Sequence, residues 1–292
     1  MMRSGVPASI VERLLIMAKK LKIKKDSVQE TLLIPLYSRK LAMDMYPGIF
    51  HDMDAQKLFE QIECDFDMQS GLKRKIGAIM GATRQYDMAC VCKEYLKEHP
   101  KACVVNLGCG LDTTFRQVDN GMARGVNIDF PDTIAVREEL LSTREREINI
   151  PSNLMDFSWF DKLDYRQEEG IVFFASGVFY YFKREDVKRL LCALAEYFPG
   201  GKIVFDATNA SGLKNMAKTW LSWSDMKQVG IYFSVENEQE LKDWSLNFKE
   251  VVRKGYMTGH RSLDKRFGVI ANTVFRSVDK MKKCQMIEIT FG

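Results

Sequence analysis

Two glycines and an aspartate define the chemistry open to this chain. The apolar run Val104-Val105-Asn106-Leu107 stops in Gly108-Cys109-Gly110, and a second run, Gly125-Val126-Asn127-Ile128, ends twenty-one residues after Gly108 in Asp129. A strand that runs into a glycine turn lets main chain approach a ligand, and an acid at the tip of the next strand accepts both hydroxyl protons of a ribose. The ligand class that fits is a nucleoside.

The residues after Gly110 narrow it further. In a dinucleotide fold the third glycine of G-x-G-x-x-G packs helix on strand, and the helix N-terminus meets a pyrophosphate. Here that place holds Thr113, preceded by Asp112. A carboxylate there is poorly suited to a doubly charged pyrophosphate but compatible with a cation bearing an amino-acid group. S-adenosylmethionine, with a sulfonium, an ammonium and a ribose, is the expected cofactor; spacing leaves open a nicotinamide or flavin site and a ligand-free structural turn.

The elements that must position these residues follow from the hydrophobic rhythm. From Ala102 onward, strands are expected near 102–107, 124–129, 147–150, 171–176 and 201–206, with helices near 113–118, 132–143, 184–198 and 211–220. Strands separated by helices imply a parallel sheet built from right-handed crossovers. Phe248 to Tyr256 and Gln285 to Phe291 are expected as a terminal antiparallel pair flanking a helix around Leu263 to Phe275. Ahead of Ala102 no strand series is visible. Ser9 suits the cap of a helix carrying Ile10, Leu14, Leu15 and Ala18, and Thr31–Met45, Ala55–Ile62 and Ala82–Leu96 suit three more. Residues 1–100 therefore read as a helical cap, and 101–292 as the sheet core with a helical insertion near 207–246.

Composition is that of an ordinary globular protein: 292 residues, 46% hydrophobic and 28% charged, with a formal charge of +4. That charge gives a nucleic-acid partner no support, and the basic run Lys19 to Lys25 reads as a solvated helix end. Seven cysteines without a CxxC pair, and His51, His99 and His260 far apart, argue against a zinc site or a disulfide framework. With no apolar run of membrane-span length and no signal-peptide core, a cytoplasmic location is expected.

The string from Val104 to Phe115, followed by Val126-Asn127-Ile128-Asp129-Phe130-Pro131, resembles the leucine carboxyl methyltransferase family, whose bacterial members include polyketide O-methyltransferases such as that of tetracenomycin synthesis. Further segments resemble it in order and spacing: Thr31 to Lys40, Ala82 to Asp87, and Ala175 to Phe182. The likeness covers about residues 30–210. It implies a Rossmann-like class I S-adenosylmethionine-dependent methyltransferase fold, with a mostly parallel seven-stranded sheet and an antiparallel last strand.

The resemblance also implies a site. Arg39 and Arg84 look like the basic pair that holds the cofactor's carboxylate, where an arginine fork supplies charge-assisted hydrogen bonds. Gly108, Cys109 and Gly110 would lie under the methionyl and ribose part, Asp129 would hold the ribose, and Asp156 with Phe157 would contact the adenine. Ser176 stands where many members carry a glutamate near the cofactor's edge. Bland readings stand beside these: Asp129 and Asp156 as helix caps, Arg39 and Arg84 as salt-bridge partners, Tyr180, Tyr181 and Phe182 as packing.

The reaction implied is in-line attack of a substrate oxygen on the sulfonium methyl, helped chiefly by proximity and orientation. A carboxylate nucleophile is ionised at neutral pH and needs no base; no residue is nominated as catalytic. Trp220, Trp223, Tyr232, Phe233 and Trp244 suit an apolar small-molecule acceptor, or equally a core. The alternative from another class is a non-catalytic protein that binds S-adenosylmethionine or S-adenosylhomocysteine. Oligomeric state is not legible.

Overall fold

The structure is a computed structural model that describes residues 21–22, 28–63, 71–220 and 230–292. The expected helix over 10–18 and most of the basic run lie outside them. In chain order the elements are β1 (Leu21–Lys22), α1 (Val28–Met45), α2 (Met53–Glu60), β2 (Ile62–Glu63), α3 (Leu72–Glu98), β3 (Cys103–Leu107), α4 (Thr114–Val118), β4 (Arg124–Asp129), α5 (Pro131–Leu140), β5 (Glu147–Pro151) and β6 (Ile171–Ala175). They continue with α6 (Arg184–Tyr197), β7 (Lys202–Ala207), α7 (Ala210–Trp220), α8 (Gln239–Lys242), β8 (Phe248–Gly255), α9 (Val269–Lys280) and β9 (Gln285–Phe291).

Seven strands form one sheet in the order β5-β4-β3-β6-β7-β9-β8. The first five are mutually parallel, and β9 runs antiparallel between β7 and β8. β3 and β6 are buried at every position, as strands covered on both faces must be. Their side chains alternate between two cores. Val105, Leu107, Phe173 and Ala175 join Leu190, Leu194 and Trp159 on one face. Val104, Val172 and Phe174 join Ile79, Met88, Phe267 and Phe275 on the other. On α6, Val187, Leu190, Leu191 and Leu194 recur at helical spacing and are all buried, so burial of this stripe drives its docking.

The N-terminal helices do more than fill a face. A third cluster, with Leu33, Leu36, Ala55 and Leu58, closes on Leu111 and Leu140, so α1 and α2 lie over the turn that follows β3. α3 begins ten residues before the expected Ala82. Gly77 and Gly81 weaken its helical signal, and Gly81 has a packing reason: a Cβ there would lie 2.7 Å from Ser38 Cβ, so the glycine lets α1 and α3 cross closely. The short parallel pair of β1 and β2 was not expected. No described helix is long and apolar enough to cross a membrane.

Candidate functional site

β3 is flanked by β4 on one side and β6 on the other, so the sheet's switch point lies at its carboxyl end, where open α/β sheets place ligands. Gly108 and Gly110 sit there with φ of 65° and 45°, in the left-handed region that glycine adopts freely. A Cβ on Gly108 would lie 2.7 Å from Val178 Cγ2, and one on Gly110 2.9 Å from Leu32 Cδ2. The N–H groups of Gly108 and Cys109 both donate to Ile128 O, at 2.8 and 3.0 Å. The Cys109 thiol is buried, and burial pushes its pKa up.

Asp129, half-buried at the end of β4, accepts the N–H of Gly110 with one oxygen and that of Phe130 with the other, each at 2.8 Å. Burial raises its pKa, although both amide hydrogen bonds oppose the rise. Beneath the loop, Arg137 of α5 donates to Gly110 O (2.9 Å), Asp112 O (2.7 Å) and Glu147 Oε1 (3.1 Å). Burial alone would raise the Glu147 pKa, but Asn127, Arg137 and Arg116 hold it below the usual range. Nothing in the sequence pattern pointed to Arg137; it acts through contacts 25 and 27 residues away in the chain.

Arg84 comes to the same sheet edge from α3. Its Nη1 donates to Asp206 Oδ2 at 3.2 Å, while its Nε is buried without a hydrogen-bond partner. Burial alone would lower its pKa, but the neighbouring Asp206 reverses this and keeps the guanidinium charged. Asp206 also accepts the Gly177 N–H at 2.6 Å and the Tyr180 hydroxyl at 3.0 Å. Tyr180 is thus a brace for Asp206. Asp206, an acid near the tip of a buried strand, carries the same signal as Asp129 and could have been found by it.

The other expected residues are distributed around this centre. Ser176 is half-buried directly after β6. Asp156 is exposed and caps the short 3₁₀ helix Phe157–Lys162, accepting the Ser158 N–H at 3.1 Å. Phe157 stacks on Phe160, with centroids 5.2 Å apart, and Arg189 lies over its ring. Both follow β5, which pairs Pro151 with Asp129. Arg39 is buried and donates to Asp52 and to Leu111 O, at 2.9 and 3.0 Å. Asp52, missed by the sequence reading, is recognisable as the N-cap of α2. Of the insertion's aromatics, Phe233 is buried and Trp244 packs against the same core, while Tyr232 is exposed; the side chains of Trp220 and Trp223 are not among those described. Among the described residues no group of histidine, cysteine and acidic side chains could hold a metal.

The fit to an amino-acid nucleoside rests on the two poles of this edge. An acid with free lone pairs lies at one pole, and a buried, charged guanidinium with an orphaned N–H at the other. Comparison with known proteins bears on the family and the fold. The chain is 27% identical over 186 residues to the tetracenomycin polyketide synthesis O-methyltransferase TcmP of Streptomyces glaucescens, covering 63% of this chain and 67% of that one. Among solved structures, a protein of Thermobifida fusca YX classed provisionally as a methyltransferase superposes with a TM-score of 0.57 at 11% identity, over 91% of this chain and 95% of that one. A DUF574 family protein of Streptomyces avermitilis MA-4680 gives 0.56 at 12% identity, over 87% and 96%; both likenesses concern the fold. The model of the leucine carboxyl methyltransferase family matches residues 36–195, more than half of the chain, beginning within α1 and ending within α6, and the protein belongs to this family of S-adenosylmethionine-dependent methyltransferases.

Proposed function

We propose that this methyltransferase is an O-methyltransferase that acts on an oxygen, preferentially a carboxylate, of a small and largely apolar acceptor. The observation that carries the cofactor side is Asp129 at the end of β4, held by the Gly110 N–H, together with Arg84, held by Asp206 of β7, each by a partly buried hydrogen bond. When bound, S-adenosylmethionine supplies the electrophilic methyl group. Asp129 then holds the ribose hydroxyls, the turn from Gly108 to Gly110 passes beneath the nucleoside, and Arg84 meets the carboxylate. Asp156, with its second oxygen, and Phe157 serve the adenine. Ser176 borders the amino-acid end without contributing the negative charge of a glutamate.

The oxygen acceptor is supported by the relative named as an O-methyltransferase of polyketide synthesis and by the chemistry of the acceptor. A carboxylate is ionised at neutral pH, so the chain need only align it and exclude water. We assign residues 1–100 to a cap which, with 207–246, shapes the acceptor side, and there Tyr232 is the exposed aromatic face. The reading favours a cytoplasmic enzyme with a small-molecule partner and no nucleic-acid or membrane partner.

The test is methyl transfer from labelled cofactor to paired acceptors, aromatic carboxylic acids and their phenol counterparts. Transfer to the acids supports the proposal, and transfer to the phenols alone moves the nucleophile to a hydroxyl. Micromolar S-adenosylhomocysteine binding without turnover on a broad panel would point instead to a binding protein.

A further inference from the structure

We infer that Arg39 is a clasp rather than a ligand of the cofactor's carboxylate: with Asp52 it locks α1 and α2 onto the glycine turn and leaves that carboxylate to Arg84. The inference rests on the cofactor site proposed above and deepens it. Arg39 is 4% exposed. Its Nη1 donates to Asp52 Oδ2 at 2.9 Å, its Nη2 to Leu111 O at 3.0 Å, and its Nε to Pro35 O at 3.4 Å. Asp112 Oδ2 stands 3.8 Å from the same Nη1.

Asp52 completes the joint. While one oxygen accepts Arg39, the other accepts the Ala55 N–H at 3.0 Å, capping α2, and the Thr113 hydroxyl at 3.4 Å. Four pieces of chain meet here: α1, the start of α2, the turn after β3 and the entrance to α4. Leu32, two turns before Arg39 on α1, rests against Gly110. The clasp therefore holds the N-terminal helices on the segment whose Gly110 N–H faces Asp129.

Charge decides against a direct cofactor role. One guanidinium already faces two carboxylates, so a third would set three negative charges around one positive charge in a desolvated place. The ligand would have to displace Asp52 or the Leu111 carbonyl. Arg84, by contrast, pairs with Asp206 and keeps an unpartnered Nε.

Two ligands separate the roles. S-adenosylhomocysteine carries the amino-acid end; 5′-methylthioadenosine keeps the nucleoside thioether and lacks it. Titration calorimetry on wild type, R39Q, D52N and R84Q should show R84Q weakening S-adenosylhomocysteine at least tenfold while changing 5′-methylthioadenosine less than twofold. R39Q and D52N should weaken both ligands by a common factor and lower the melting temperature, and the double variant should melt no lower than the worse single one. A tenfold loss confined to S-adenosylhomocysteine in R39Q would overturn the clasp. If R39Q does not fold, R39K, which keeps the charge toward Asp52, takes its place with the same two ligands. Wild type that binds neither ligand sinks the cofactor site instead, and the clasp is then judged on melting alone: additive losses in R39Q and D52N would overturn it.

Discussion

The carboxylate of Asp129 accepts the N–H of Gly110 at 2.8 Å, which ties the acid at the end of β4 to the turn at the end of β3. The acid and the glycine turn are thus joined directly. Only the ionised acid can accept from the amides and the ribose together, and burial lifts its pKa above the ordinary aspartate value. Affinity for S-adenosylhomocysteine should therefore be full above that raised pKa and fall as pH drops through it. D129N should lose about 10–100-fold at neutral pH, the scale of a hydrogen bond to a charged group, and should lose most of the acid-side slope. Calorimetric titrations from neutral pH down through the acid limb read both effects; an unchanged slope in D129N would place the titrating group elsewhere.

The conformation of Gly108 makes a second prediction. With φ at 65°, an alanine there costs about 1–2 kcal/mol in the backbone alone. Its Cβ would also press on Val178 at 2.7 Å, an overpacking that costs about 1–3 kcal/mol more. V178A should relieve the second cost and not the first. Denaturant unfolding of G108A, V178A and the double variant tests this: strictly additive losses would show that the contact with Val178 is not what excludes a side chain.

The local parts of this arrangement were legible in the sequence, and the long-range ones were not. β4 falls on the expected residues 124–129, because a short run carrying Val126 and Ile128 between turns has few other fates. The antiparallel pair at the C-terminus was likewise legible from its two apolar segments. Gly108, Gly110 and Asp129 announce themselves by spacing and come together. Arg137 and Asp52 do not, because what matters in each is a partner in a distant segment: a loop carbonyl for Arg137, and a guanidinium on another helix for Asp52. Arg39 illustrates the converse. The resemblance gave it a ligand role and the bland reading a salt bridge, and the identity of the partner, Asp52, is visible only in the tertiary structure.

Arg137 is the place where loop geometry meets stability. Substitution by leucine leaves Glu147 with Asn127 and Arg116 alone and frees two loop carbonyls, and breaking a buried pair from one side costs up to about 3–5 kcal/mol. Glu147 is held below the usual glutamate range, so its contribution is present above the unfolded pKa and lost as pH falls through the lower folded one. The stability difference between wild type and R137L, read by denaturant at several pH values, should thus be large at pH 7 and shrink in acid. A difference constant down to pH 3 would mean that packing, not the ion pair, carries it.

One turn beyond Arg84 on α3, Asp87 is fully buried, and neither carboxylate oxygen has a hydrogen-bond partner. Burial pushes its pKa up to about 8, against the pull of Arg261, with Asp279 and Glu288 raising it and Lys254 lowering it. A carboxyl raised in this way stabilises the fold fully below its unfolded pKa, near ~4, and that stability is lost as pH rises through the folded value. The sign is opposite to that of Glu147. A tenfold change in proton affinity between the unfolded and folded chains corresponds to about 1.4 kcal/mol, so the effect is visible in a melting curve. D87N, which cannot ionise, should gain on wild type steadily from pH 5 to pH 8 and hold that gain at pH 9. Thermal melts of both proteins at constant ionic strength decide the matter. Parallel curves would mean that Arg261 keeps Asp87 ionised across the range, and that the buried carboxylate is one half of an ion pair.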